Sequence, residues 1–454
     1  MRYHALGAIC ALLLTACADE PPTAAPSTGL PALAETDLAA LVAEVRARAV
    51  DRGIGPLARP APVRPELVRL GQALAFDKEL SGNRDISCMT CHLPALGTGD
   101  GRSLSIGQGA TGLGTGRVHP DGAFIPRNAP PLFNLHAIDP FFWDGRVVRD
   151  AQGRFLTPAR QRVHPHMTRA FEFGALSALP LCPVLSREEM RGTTGNELAA
   201  VSDKEPQQVW NRLMDRLGRI REYRQMFEAA YPGTRFAEMN FGHASNAIAG
   251  FLVDRLAFND SPWDRFLAGN DGALSEVQLR GARNFLTARC SICHNGPALT
   301  DNGFHNVAVA QFGPGQGDGA SGRDDFGRMR ETGRTEDRYA FRTPPLRNVE
   351  LTAPFGHDGA FSSLREFIAH YSESDLKLRA FDGSGLEPAL RPTLLQNFDD
   401  ILATRDTLLN GVVFPDEVID EVTEFMLALT DPAARGLGAL TPARVPSGLA
   451  VDGM

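Results

Sequence analysis

Two short stretches carry thiols and an imidazole at a spacing chemistry can use: Cys88-Met89-Thr90-Cys91-His92 and Cys290-Ser291-Ile292-Cys293-His294. Each C-x-x-C-H offers two sulfurs placed to form thioethers with the two vinyl groups of one haem. The adjacent histidine then reaches the iron as its proximal axial ligand. Cys88, Cys91 and His92 would hold one covalent haem c, and Cys290, Cys293 and His294 a second. Zinc is the rival, because two C-x-x-C pairs can together make a four-thiolate site. It does not account for a histidine directly after both pairs. A thioredoxin-like redox pair would need one motif beside a βαβ pattern, which the sequence lacks.

The remaining cysteines are Cys10, Cys17 and Cys182. The opening MRYHALGAICALLLTAC has a cationic start, an apolar run and small residues before Cys17. That is the layout of a secretory signal, too short to span a membrane, and c-type haem assembly requires export. Leu14-Thr15-Ala16-Cys17 looks like a bacterial lipobox, in which Cys17 is acylated and anchors the protein to a membrane surface. The alternative is an ordinary signal with an incidental cysteine. Aspartate does not directly follow Cys17, which points to the periplasmic face of a Gram-negative outer membrane. Residues 1–16 are then the signal, and 17–60 a Pro/Ala/Ser/Thr-rich tether with an N-terminal helix. Cys182 reads as a small buried hydrophobe.

The net charge of −8 argues against nucleic acid as a partner, since phosphate binding needs a basic face. It permits docking to a basic patch on another protein. With 43% hydrophobic and 22% charged residues, the 454-residue chain is long enough for two or three packed domains.

The elements that position the motifs read as helices. Residues 65–77, 246–258, 274–290 and 415–432 place apolar side chains at i, i+3, i+4 and i+7, and Ser275 fits an N-cap. His357-Asp358-Gly359 reads as a turn leading into a short helix that closes on Tyr371. No run of alternating strands is visible. Gly107 to Gly112 matches G-x-G-x-x-G literally, but it follows no strand and opens no helix, so a dinucleotide site is rejected. The Gly-rich stretch 313–322 reads as a loop, with Asp318, Asp324 and Asp325 solvated. Trp210 and Trp263 read as core.

With both haem motifs placed, the chain resembles the bacterial di-haem cytochrome c peroxidase/MauG superfamily over roughly 60–430. The matching stretches are LSGNRDISCMTCH, RNAPPLFN, FFWDGR, REEMRG, SPWDRFLAG, CSICHNGPALTDNGFHN and FRTPPLRNVELTAPFGHDGAFSSLREFIAHY. The resemblance implies a mainly α fold of two cytochrome c-like helical domains with long Gly/Pro-rich loops. The peroxidatic haem falls in 61–270, the electron-transfer haem in 271–432, and 433–454 is a tail.

Site residues follow from the resemblance position by position. Where family peroxidases often carry a distal histidine after the first C-x-x-C-H, this chain has Gln108, a poor ligand for ferric iron, which leaves that haem open to peroxide. His119 in the inserted loop is the alternative ligand. Where the electron-accepting peroxidases carry a methionine ligand after the HDG histidine, this chain, like MauG, has Tyr371. An anionic oxygen favours high-valent iron where a thioether raises the potential. The alternatives are a packed tyrosine, or ligation by His370 or His357. Trp143 matches the tryptophan between the haems. Glu189 matches the distal acid that moves the peroxide proton, with Glu188 in the neighbouring register; Gln161 is the nearest match for the distal glutamine. A Ca2+ between the haems would be held by Asn128 and the carbonyls of Thr352 and Pro354. The implied activity is reduction of hydrogen peroxide, with electrons from a small redox carrier or from a residue on a partner protein oxidised at long range. Two other readings stay open: a non-catalytic di-haem electron-transfer cytochrome, and a structural or copper-handling lipoprotein that only stores haem.

Overall fold

The computed structural model describes residues 35–155 and 163–453. The signal segment, Cys10, Cys17, the Pro-rich tether and Gln161 lie outside the described residues. Among those described, helices dominate and the one sheet is a two-residue pairing, Phe304–His305 against Phe341–Arg342. No helix among them is long and apolar enough to cross a membrane.

Two helical cores stand side by side. The first joins Pro65–Phe76 to Phe241–Arg255, burying Leu67, Leu70 and Leu74 on one stripe. The second joins Glu276–Thr287 to Asp416–Leu427 through Leu279, Phe285 and Phe425. Ser275 caps its first helix, accepting from the Gln278 N–H at 3.3 Å while Gln278 Oε1 accepts from the Ser275 N–H at 3.0 Å. In both cores the helix before the C-x-x-C-H motif crosses the later helix at a glycine. A Cβ on Gly71 would lie 1.9 Å from the Ala247 carbonyl oxygen, and one on Gly281 1.9 Å from that of Glu421. Only glycine permits either approach.

The correspondence continues through the loops. Pro130-Pro131-Leu132-Phe133-Asn134 and Pro344-Pro345-Leu346-Arg347-Asn348 end on asparagines with φ of 54° and 64°. The Asn134 N–H donates to Leu256 O (2.9 Å), and the Asn348 N–H to Leu429 O (3.0 Å). Pro140-Phe141-Phe142-Trp143-Asp144-Gly145 and Pro354-Phe355-Gly356-His357-Asp358-Gly359 follow, each opening on a cis proline. The chain is therefore an internal duplication, and Trp143 and His357 occupy equivalent places.

The halves are laced together at both ends. Helix Glu35–Asp51 buries Leu41, Val45 and Ala49 in the second core, not the first. Helix Pro262–Leu267 also packs there through the fully buried Trp263, ahead of the 270/271 division drawn from sequence. Conversely, the segment read as a tail returns to the first half. Val445 enters its core, and Ser447 Oγ donates to Asp77 Oδ1 (2.6 Å). Asp452 pairs with Lys78 (2.6 Å) and accepts from the Thr90 hydroxyl, between the two cysteines of the first motif. The 313–322 loop also differs from expectation in its acids. Asp324 and Asp325 are buried, because Tyr339 and Arg127 respectively give them partners.

Candidate functional site

Cys88–Cys91 forms a single helical turn, held at its start by the Ser87 N–H donating to Thr90 Oγ1 at 2.9 Å. His92 follows, and its Nδ1–H donates to Thr98 O at 3.0 Å. That bond fixes the tautomer and leaves Nε2 free to ligate. Cys88, Cys91 and His92 line a cavity of about 160 Å³ whose remaining wall is mainly apolar. The second turn repeats the arrangement. The His294 Nδ1–H donates to Leu299 O at 3.1 Å, and Cys290, Cys293 and His294 line a separate cavity of about 210 Å³. All four cysteines are unpaired. Because the pairs face different cavities, they do not converge on one four-thiolate zinc site.

Glu189 lines the first cavity from a one-turn π-helix, Arg187–Arg191, capped by Ser186. Burial raises its carboxyl above the usual range, and Arg146, whose Nη2 lies 3.9 Å away, works against that shift. Glu188 in the alternative register is exposed and bonded to Ser186. Gln108 is not among the lining residues. Its backbone N–H donates to Glu189 O (2.9 Å), and its side chain accepts from Asn83. His119 is likewise outside the lining, with Nδ1 accepting from the Asp121 N–H. Cys182 is a buried, protonated thiol.

The second cavity receives Tyr371 from the last position of helix Leu364–Tyr371. Burial and the neighbouring sulfurs push its phenol well above the ordinary value, and its hydroxyl has no hydrogen-bond partner among the described residues. His370 does not line the cavity; its Nε2–H donates to Val307 O at 2.8 Å. His357 does, with its ring stacked 3.5 Å from Phe341. Asn128, Thr352 and Pro354 lie on this same wall, and Asn128 Nδ2 donates to Arg102 O, which leaves its carbonyl oxygen uncommitted. Cys293, Asp301 and His305 also cluster there. His305 is placed between the carboxylates of Asp301 and Asp406, and Asp301 first, then the Cys293 sulfur and Asp406, raise it to about 11.

Trp143, Asn128, Pro131 and Arg342 line both cavities. They form one wall: the Trp143 indole N–H donates to Asn128 O (2.9 Å), the Asn128 N–H to His357 O (2.9 Å), and the Arg342 N–H to Trp143 O (2.8 Å). Beside it Arg127 bridges the buried Asp144 and Asp325, each at 2.6 Å. The motif matches locate Trp143 but pass over Arg342, Arg127 and Arg146. For Arg146 the signal was available, since it ends the FFWDGR stretch.

Two C-x-x-C-H turns, each with a free imidazole nitrogen beside its own apolar cavity, and a tryptophan wall common to both, are the features of a c-type protein with places for two haems. The chain belongs to the di-haem cytochrome c peroxidase family, whose model matches residues 65–272. It is 30% identical over 318 residues to cytochrome c551 peroxidase of Pseudomonas aeruginosa, covering 70% of this chain and 75% of that protein. It is 28% identical over 319 residues to the methylamine utilization protein MauG of Methylorubrum extorquens, covering 70% and 71%. Among solved structures, a MauG-like protein associated with microbial copper homeostasis is 25% identical with a TM-score of 0.56, over 85% of this chain and 95% of that one. The di-haem peroxidase BthA of Burkholderia thailandensis shares the fold, at 20% identity and a TM-score of 0.58, over 88% and 95%. The protein is thus an enzyme of the di-haem peroxidase class, acting as a peroxidase or a MauG-like oxidoreductase, and its family implies two haem c groups.

Proposed function

We propose that the first cavity is where hydrogen peroxide is reduced, and that electrons reach it from the second through Trp143. A haem held by Cys88, Cys91 and His92 supplies redox-active iron to which peroxide can bind. Gln108 turns toward Asn83, which supports an open distal side. Glu189 takes the proton from peroxide at its cavity-facing carboxylate and returns it to the departing oxygen, which leaves as water. Arg146 keeps that carboxyl able to ionise despite burial. Tyr371 would ligate the iron of a second haem held by Cys290, Cys293 and His294, as the resemblance to MauG implies. Asn128 and the carbonyls of Thr352 and Pro354 would hold Ca2+ between the two haem sites, an oxygen set suited to that hard cation. The reductant is a small redox carrier or a residue on a partner protein. The chain is exported and anchored through Cys17 at the periplasmic side of the outer membrane.

The observation that carries this reading is a single tryptophan on the wall of both cavities, with Glu189 facing one and Tyr371 the other. Mixing the di-haem protein with peroxide should change the absorption of both haems. In Trp143→Phe the first should still respond and the second should lag or fail. Unchanged spectra in the native protein would make it a pure electron-transfer cytochrome.

A further inference from the structure

The wall between the cavities holds a positive charge that nothing among the described residues balances. Arg342 is 5% exposed and lines both cavities. Its Nε donates to Phe142 O (3.2 Å) and its Nη1 to Thr343 O (3.1 Å). Nη2 has no partner among the described residues, and no carboxylate among them pairs with the guanidinium. Burial alone pulls it down to about 10. The other buried arginines differ. Arg102, Arg127, Arg191, Arg216 and Arg347 each meet a carboxylate, and Arg117 donates to three carbonyls through its Nε, Nη1 and Nη2.

Arg342 cannot escape to water. Its backbone N–H is tied to Trp143 O, and its Cα is registered against Phe304 in the two-residue sheet. A desolvated cation held this firmly is costly unless an anion arrives. Each cavity is lined by the C-x-x-C-H donor set that haem c takes, and haem brings carboxylates as its propionates.

We infer that Arg342 is a shared counter-ion, pairing with a propionate of each haem across the wall; this rests on the two haems the family implies. A planar guanidinium presents several donors in a fixed fork, so it can meet carboxylates on two sides where an ammonium meets one. Reduction removes one positive charge from an iron, and a nearby cation favours that state. Arg342 therefore raises the reduction potential of both haems. Because one group serves both, a rearrangement at one is felt at the other, and the coupling is reciprocal.

The test uses the full-length di-haem protein. Haem content is measured first; fewer than two haems per native chain would sink the di-haem reading itself, separately from this proposal. Spectroelectrochemical titration of Arg342→Gln should then show both midpoint potentials lowered. Arg342→Lys keeps the charge but loses the fork. Its potentials should stay near native while the propionate-bending bands of both haems shift in resonance Raman spectra. A response at only one haem, or at neither, overturns the shared role. If Arg342→Gln fails to load haem, the Raman result on Arg342→Lys decides alone: both haems shifted supports the proposal, anything less refutes it.

Discussion

Glu189 is held between two opposing influences, burial that keeps its proton on and Arg146 that draws it off. To accept a proton from peroxide it must first be ionised, so the rate of peroxide reaction should fall as pH drops through its raised pKa. Stopped-flow rates should show that acid limb above the usual glutamate range near 4.3. Arg146→Gln removes the cation that favours ionisation and should move the limb to still higher pH. Glu189→Gln should slow the step by roughly 10²–10⁴-fold with haem content unchanged, the range for loss of a positioned acid–base group. A native rate would move the role elsewhere. At the second site, Tyr371→Met should raise that haem's potential, because a thioether favours the reduced iron more than an anionic oxygen does. An unaltered potential would mean Tyr371 only packs.

At the scale of elements, each attachment turn is set by a helix crossing too tight for any side chain. Gly71→Ala and Gly281→Ala should each destabilise by about 1–3 kcal/mol or more through overpacking, measurable as a lowered denaturation midpoint. The duplication that repeats this crossing is legible in the sequence as two P-P-L-x-N runs and two P-F-x-x-D-G runs. Helix faces were equally legible, since 3.6-residue periodicity reports which side of a helix is buried. The residues that matter by what they lack were not. Arg342 reads as an ordinary cation in FRTPPLRN, and only the absence of a carboxylate around it, a property of the packed wall, singles it out. Asp324 and Asp325 reverse the point: a Gly-rich context suggests solvent, yet partners from distant segments bury them.

For the whole molecule, periodicity says that Glu35–Asp51 has an apolar stripe but not which core receives it. The stripe goes to the second core, while 445–452 goes to the first. Deleting everything beyond Leu440 should therefore weaken the first half, although the cut lies after the second. It removes the Asp452 partner of Lys78 and Thr90 and the Ser447 partner of Asp77. Leaving those groups unpaired should cost roughly 3 kcal/mol or more. Thermal melts followed at each haem's absorption should show the first transition lowered and the second little changed.

The hydrogen bond from Thr90 to Asp452 also ties the first motif to a residue 362 positions further along the chain. The turn carrying His92 is therefore braced only when residues 445–452 are present and in place. A chain clipped by a protease near 440 would keep a finished second half joined to a first half whose attachment turn has lost its brace.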